Sequence, residues 1–305
     1  MSEQEEIGRA QPHAGRPSRD QKHAGPAQPH AGRASRDQED VSGDQPHDPL
    51  LANSGVVVTG AGQGIGEALA RRFAEAGARV VVNDLDAAKV EKVAADIGGL
   101  AVPGDSASVA GVAALIEAAR TYLGPIDVYV ANAGVDHGVG LDASENDWAT
   151  SLDVNVMAHV RAARLLIPEW VERGSGRFVV TASAAGLLTM LGAPAYSVSK
   201  HAAVAFAEWL EVTYAHRGVS VHAICPQGVD TRMYAESGPL KDLLSRDALL
   251  SPQEVAEALM DAIGDDRFFV LPHAEVAGYY AARATDPARW MAGMNALQRR
   301  LEETA

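Results

Sequence analysis

The chain has 305 residues, 47% of them hydrophobic, enough for the core of one large α/β domain or two small ones. A formal net charge of −14 leaves no electrostatic footprint for nucleic acid and favours solubility. The single cysteine, Cys225, excludes an intrachain disulfide and a cysteine-based metal site, and it fits a reducing, cytoplasmic setting in which it packs as a small buried hydrophobe beside a strand end.

Residues 1–50 differ in kind from the rest. QPHAGRPSRDQ at 11–21 recurs as QPHAGRASRDQ at 28–38. This stretch holds almost no large apolar side chain and cannot offset an ordering entropy of ~1–2 kcal/mol per residue. It reads as a disordered tail, idle or a partner-binding arm. Its His13, His23, His30 and His47 lack ligand spacing on a rigid frame. The polar start has no apolar stretch of the secretory kind, so no leader is expected. Apolar runs such as RFVVTASAAGLL are too short and interrupted to span a membrane.

From residue 54 the pattern alternates strand and helix. GVVVTG (55–60) is a short, fully apolar run, as a buried parallel strand should be. A helix follows over 65–78, spaced by Ile65, Leu69 and Phe73, then a strand over 79–84 and a helix over 85–98. Strands at 100–105 and 126–134 flank a helix at 108–124. One long helical region covers 145–174, followed by a strand at 176–186, a helix at 195–218 and a strand at 219–228. A Ser-Pro start opens a helix at 251–263, a seventh strand runs over 267–272, and the last helix spans 286–303. Such alternation with right-handed crossovers gives an α/β fold: a single Rossmann-like, doubly wound parallel sheet of seven strands flanked by helices. The expected organisation is a tail over 1–50 and one α/β domain over 51–305, with a mobile lid at 229–250.

TGAGQGIG at 59–66 lies between the first strand and the first helix. Its glycines do not follow G-x-G-x-x-G. The spacing Gly60-x-x-x-Gly64-x-Gly66 still lets backbone approach a pyrophosphate at a helix N-terminus, with Gly66 allowing close helix–strand packing. The other reading is a plain tight turn. Gly62 is the glycine expected to be dispensable.

Asp84 closes the second strand, about twenty residues on, where a carboxylate accepts from both ribose hydroxyls and repels a 2′-phosphate. With Gln63 and Leu85 nearby, no cation near the turn is evident, so NAD is favoured over NADP. The alternative for Asp84 is a cap on the next helix. Asp105, ending the third strand, could meet an adenine amino group or serve a turn.

Tyr196 and Lys200 stand four apart in a helical segment and share a face. A phenol of pKa ~10 becomes a proton-transfer group near neutrality only if its anion gains roughly 4 kcal/mol from neighbouring positive charge. Ser183 sits at the carboxyl end of the fifth strand, the ligand edge of such a sheet, where its hydroxyl could reach a substrate oxygen. Asn155 is a polar residue in the apolar segment LDVNVMAHV. Its alternative is a helix kink or an interhelix hydrogen bond.

From about 54 to 272 the chain resembles the classical-type short-chain dehydrogenases/reductases. The resemblance rests on TGAGQGIG, the NAG of Asn132 to Gly134, Asn155, Ser183, and the Y-x-x-x-K of Tyr196 and Lys200. It implies hydride transfer between nicotinamide and a secondary alcohol or ketone. Tyr196 would be the general acid/base. Lys200 would hold the nicotinamide ribose and lower the Tyr196 pKa, Ser183 would position the reacting oxygen, and Asn155 would anchor a relay water. Asn132 would stabilise the central strand and Gly134 would make room for the cofactor. Asp84 matches the NAD-selecting acid and Asp105 the adenine contact. Implied cofactor contacts extend to Gln63, Ile65, Ala133, Pro226, Val229 and Thr231. PQGVDT departs from the family's P-G-x-V-x-T at Gln227, which puts the local loop path in doubt.

Substrate walls are expected at 135–140, 187–191, Met233 and Tyr234, a lining that leans apolar and suits a moderately bulky alcohol or ketone. His137 near the mouth either touches substrate or lies on the surface. The stripe of Trp290, Met291, Met294 and Leu297 should pack on the body or on a neighbouring subunit. The resemblance implies homodimers or homotetramers paired through helices at about 149–173 and 195–217. The competing readings are an NADPH-linked carbonyl or 3-oxoacyl thioester reductase and a nucleotide-sensing regulator on the same fold. The second would be expected to lack Tyr196 or Lys200.

Overall fold

The computed structural model describes residues 51–237 and 248–304. The repeat-bearing tail with its four histidines, and 238–247 of the expected lid, lie outside the described residues. Valine-rich runs form the centre of the sheet: β1 (Gly55–Thr59), β2 (Arg79–Asn83) and β4 (Val128–Ala131). Successive side chains point to opposite faces. Val57, Val81 and Tyr129 therefore enter one core, while Val56, Val58, Val80 and Val82 enter the other. Both faces are covered, which is why these strands read as unbroken apolar runs.

The seven parallel strands run in the order β3-β2-β1-β4-β5-β6-β7, with β3 at Leu100–Ala101, β5 at Gly176–Thr181, β6 at Val219–Ile224 and β7 at Phe269–Val270. The order reverses between β1 and β4, so the crevice of this doubly wound sheet opens at their carboxyl ends. Helices α1 (Gly64–Glu75), α2 (Ala87–Ile97) and α8 (Pro252–Gly264) cover one face. Helices α3 (Val109–Leu123), α5 (Ala158–Arg173) and α6 (Pro194–Tyr214) cover the other. Local chemistry marks the helix starts. Ser108 caps α3, and capping boxes open α4 (Glu145–Leu152) with Ser144 and Asp147, and α8 with Ser251 and Glu254.

Several elements differ from the sequence expectation. β3 stops before Pro103, which cannot donate to a ladder. β4 ends at Ala131 because Asn132 turns the chain into the crevice. The long helical region is α4 and α5 joined by one wider π-type turn at Asp153–Met157. Beyond β7 stands a helix not anticipated, α9 (Glu275–Thr285), followed by α10 (Pro287–Thr304). A short α7 (Arg232–Ala235) lies in the lid region. Val229 pairs with Leu250, joining the two ends of that segment.

Candidate active site

A cleft of about 400 Å³ runs along the carboxyl ends of β1, β2, β4, β5 and β6, within the usual size of a small-molecule site. The expected cofactor residues Gly60, Gln63, Gly64, Ile65, Gly66, Asp84, Asp105, Asn132, Ala133, Gly134, Pro226, Val229 and Thr231 all line it, as do Ser183, Tyr196 and Lys200. Asn155 does not. It is wholly buried behind the wall.

At one end, β1 gives way to the glycine turn. Gly60 and Gly64 have φ near +60°, a conformation side chains rarely adopt. A Cβ on Gly66 would collide with the Gly60 carbonyl and the Asn132 amide, so the third glycine permits the close helix–strand packing anticipated for it. Asn132 Nδ2 donates to the carbonyls of Thr59 (2.9 Å) and Gly60 (3.1 Å), tying β4 to β1. Gln63 occupies the cap position of α1 without a side-chain cap bond, which leaves the first N–H groups of the helix facing the cleft, the arrangement that attracts phosphate.

Gly62 is more closely surrounded than its spacing suggests. Its N–H donates to Asp84 Oδ2 at 2.9 Å, and a Cβ there would stand 2.9 Å from the same oxygen and 3.1 Å from Lys89 Cβ. The cap of α2 is Asp86, which accepts from Lys89 N (3.2 Å). Asp84 Oδ1 accepts from Asp86 N (3.1 Å). A cation does lie near the turn, contrary to the sequence reading: Lys89 Nζ donates to Gln63 Oε1 at 2.9 Å and lies 3.5 Å from Asp86. Helical geometry brings it back one turn from its place in the sequence. Asp105 serves the turn, accepting from Ala107 N (2.8 Å) and Ser108 N (3.3 Å), and these bonds hold its carboxyl below the usual range.

At the other end, Ser183 Oγ accepts from Ala185 N at 3.1 Å and makes a long 3.4 Å bond to the Pro226 carbonyl. Lys200 Nζ donates to Thr181 O at 2.9 Å and sits 5.6 Å from the centre of the Tyr196 ring. Asn155 sits in the π-type turn. Its Oδ1 accepts from Val135 N, and its Nδ2 donates to Val135 O and Ser199 Oγ, all at 2.9 Å. Ser199 Oγ in turn donates to Tyr196 O at 2.9 Å. Asn155 thus makes the interhelix bond that was its alternative reading, and it fixes the strand β4 exit to the helix carrying Tyr196 and Lys200.

Gln227, the departure in the loop after β6, is held by its backbone. Its N–H donates to His273 Nδ1 at 3.1 Å, and His273 Nε2 donates to Ala248 O at 3.0 Å. Of the expected walls, Val135, Asp136, Met190, Met233 and Tyr234 line the cleft, whereas Leu187 and Leu188 pack into the core, Leu191 does not line the cleft, and His137 is exposed.

The family model for short chain dehydrogenases matches residues 54–241. The chain belongs to the short-chain dehydrogenase family. It is 37% identical over 238 residues to a 1-deoxy-11-beta-hydroxypentalenate dehydrogenase of Streptomyces avermitilis, covering 74% of this chain and 86% of that one. It is 39% identical over 194 residues to the oxidoreductase UcpA of Salmonella typhimurium, covering 61% and 73%. A short-chain dehydrogenase/reductase from Burkholderia phymatum, solved with NAD, superposes with a TM-score of 0.72 at 28% identity, covering 77% of this chain and 94% of that one. A 3-ketoacyl-(acyl-carrier-protein) reductase from Brucella melitensis, solved with NADH, gives 0.68 at 29% identity, with 73% and 98% covered. As a short-chain dehydrogenase the protein is an oxidoreductase acting on CH–OH groups and their carbonyl counterparts.

The electrostatics of this short-chain dehydrogenase's cleft differ from the sequence expectation. Burial dominates both members of the pair. It pushes the Tyr196 phenol up to about 12, partly offset by Ser183, and pushes the Lys200 ammonium down to about 8. In the protein alone, desolvation of the phenolate dominates and only the Ser183 hydrogen bond acts to lower the phenol. Sequence reading took Asp136 only as part of the wall at 135–140 and gave no role to its charge, although it lines the cleft. Burial raises its pKa, while His137 and Lys200 lower it. Its place directly after NAG-Val was the available signal.

Proposed function

We propose that the protein is an NAD-dependent dehydrogenase/reductase for a moderately bulky, apolar secondary alcohol or ketone, with Tyr196 as general acid/base. The observation that carries this is the placement, in one cleft, of Asp84 at the glycine turn and of Ser183, Tyr196 and Lys200 at the opposite end. The donor set fits a nicotinamide dinucleotide. Open helix N–H groups suit the pyrophosphate, Asp84 is an acceptor for ribose hydroxyls, and a Cβ on Gly134 would press to 3.1 Å from Asn155 Oδ1 and 3.3 Å from Lys200 Nζ. When bound, the nicotinamide supplies or takes the hydride and, oxidised, adds a positive charge near the phenol.

The remaining chemistry belongs to the chain. Ser183 Oγ, weakly held by Pro226, turns its proton to the substrate oxygen. Tyr196 Oη takes the alcohol proton in oxidation and returns it in reduction. A phenol pushed up to about 12 is already protonated for the reductive direction, so the oxidative one depends on added positive charge. Lys200 keeps two N–H donors beyond its bond to Thr181 O, and these would hold the nicotinamide ribose when the dinucleotide is bound. Asn155 holds this helix against β4. Gln63, Ile65, Asp105, Asn132, Ala133, Pro226, Val229 and Thr231 shape the dinucleotide trough.

Support for an apolar, hydroxyl-bearing substrate comes from the cleft walls Val135, Met190, Met233 and Tyr234. Two similar proteins are likewise named for hydroxylated substrates, a hydroxypentalenate and a 7 alpha-hydroxysteroid. Lys89 favours a second reading, tolerance of NADP, since its ammonium lies beside Gln63 rather than on Asp84. A homodimer or homotetramer in the cytoplasm completes the proposal. It is supported by the apolar groove between α5 and α6, lined by Val160, Ile167, Phe206 and Trp209, and by a lone cysteine that is buried and unpaired. No helix among the described residues is long and apolar enough to cross a membrane.

The test is a panel of secondary alcohols and ketones with NAD(H) and NADP(H), on wild type and Tyr196→Phe. The expected result is a preference for NAD and loss of turnover by about three or more orders of magnitude in the variant, with dinucleotide binding retained. Turnover surviving in Tyr196→Phe overturns the acid/base assignment. Equal use of both cofactors overturns the reading of Asp84.

A further inference from the structure

The segment after Ser183 is held from three sides. From within, Ala184 O accepts from Leu187 N (3.0 Å) and Leu188 N (2.7 Å). From α6, Ser197 Oγ accepts from Met190 N at 3.0 Å and donates to Met190 O at 3.2 Å. From outside, Arg283 on α9 donates from Nη1 to the carbonyl of Leu187, a residue only 2% exposed. The second Nη1 proton goes to His201 Nε2 at 2.9 Å, which leaves the proton on His201 Nδ1 to be donated to Ser197 O at 2.8 Å. Trp290 of α10 lies against the guanidinium, 5.2 Å from ring centre to Cζ, a stack that fixes the plane of the fork. The result is one connected path from α9 and α10 through Arg283, His201 and Ser197 to Met190, which lines the cleft. Ser197 and His201 each directly follow a proposed catalytic residue, Tyr196 and Lys200.

We propose that Arg283 is a positioning residue for substrate, and that α9 and α10 set the shape of the substrate side of the cleft by clamping the segment 187–190. The clamp's outer half, Arg283 and Trp290, lies beyond residues 54–241, the part matched by the family model, whereas Leu187, Met190, Ser197 and His201 lie within it. Neutralising Arg283 strips a buried carbonyl of its acceptor partnership and a histidine of its donor, and a buried polar group left unpaired drives local rearrangement. The segment then loosens, Met190 shifts, and substrate fit suffers while the dinucleotide trough at the far end stays as it was.

The inference rests on the proposed reading of this end of the cleft as the substrate side, so the experiment has an arm that needs no turnover. Amide hydrogen exchange over 187–191 is measured in wild type, Arg283→Met and Arg283→Lys, with Trp290→Leu as a milder variant that removes only the stacking surface. Exchange of this segment is expected to rise about tenfold in Arg283→Met, less in Trp290→Leu and least in Arg283→Lys, with the glycine turn unchanged. In the kinetic arm, KM for a hydroxysteroid is expected to rise about tenfold in Arg283→Met and less for cyclohexanol, with kcat and KM for NAD+ within about twofold of wild type. Unchanged exchange in a folded Arg283→Met overturns the clamp. Raised exchange with unchanged KM, or an equal loss in every kinetic constant, overturns the positioning role. If wild type oxidises neither alcohol, the functional reading falls, and exchange alone decides the clamp.

Discussion

Tyr196 and Lys200 are buried where both charged forms are disfavoured, so the residues around them decide how the pair titrates. Asp136 is one neighbour that acts on both: its negative charge raises the pKa of Tyr196 and of Lys200 alike. Asp136→Asn is therefore expected to move the rising, acid-side limb of the kcat/KM profile for alcohol oxidation, where the phenol loses its proton, to lower pH, and to improve the acceptance of substrates carrying a carboxylate. A profile unmoved by the substitution would show that Asp136 does not act on the phenol. At the opposite end of the cleft, the tetrad of glycines was legible as a cofactor turn, but the ranking among them was not. Gly62 looked spare because spacing alone reports chain geometry, whereas its constraint comes from Asp84, twenty-two positions away. Gly62→Ala would push the Asp84 carboxylate aside, and KM for NAD+ is expected to rise about tenfold with kcat largely kept. Gly66→Ala meets the Gly60 backbone as well as the Asn132 amide, and the backbone cannot swing aside, so its effect should be on stability, roughly 1–3 kcal/mol. Thermal melts alongside cofactor titration distinguish the two, and equal behaviour of both variants would contradict the contacts described.

The elements carrying the site were readable because their patterns are strong: valine runs for the central strands, and a Ser-Pro start for the helix at 251–263. What escaped were features fixed by tertiary contact. The π-type turn at Asp153–Met157 exists where Asn155 must reach Val135 and Ser199, and no local propensity announces it. Helix α9 was missed although Val276, Tyr279, Tyr280 and Arg283 have helical spacing, since Gly278 and a nearby strand end obscured it. Helices α5 and α6 present the clearest unfinished surface. Trp209 is about half exposed, stacks with Phe206 at 6.2 Å and meets Tyr214 edge-on at 5.8 Å, with Val212 and Leu165 exposed on the same pair of helices. Aromatic clusters of this kind are the usual anchors of an interface. Trp209→Glu is expected to reduce the mass seen by light scattering to that of a single chain while leaving the melt of the monomer cooperative. An assembly unaffected by the substitution would place the contact elsewhere.

Across the whole molecule, acid stability should be governed by two histidines that the catalytic site does not use. His159, on α5, is 2% exposed, and neither ring nitrogen has a hydrogen-bond partner. Burial pushes its pKa down to about 3, and the charge of Lys200 adds to that. His222, on β6, accepts from Arg177 Nε at 3.0 Å and donates from Nδ1 to Arg267 O at 2.7 Å. Burial brings it down to about 4, against the opposing pull of the Arg267 carbonyl. In the unfolded chain both take up protons near the ordinary value of 6.5. Below that value the unfolded state binds more protons than the folded one, so the free energy of unfolding falls as pH drops. The stability these neutral rings confer is complete above about 6.5 and is lost progressively down to their folded values, so the loss begins well above the range in which most carboxylates titrate. The melting temperature of wild type should therefore fall between pH 6.5 and 4. His159→Leu removes one of the two proton sinks and two unpaired buried nitrogens at once. Its melt is expected to be no lower than wild type at pH 7.5 and clearly higher at pH 5. His222→Gln loses two hydrogen bonds and should be less stable at pH 7.5, yet show a shallower acid slope. Parallel melting curves for wild type and His159→Leu from pH 7.5 to 4 would mean that His159 does not carry the acid response.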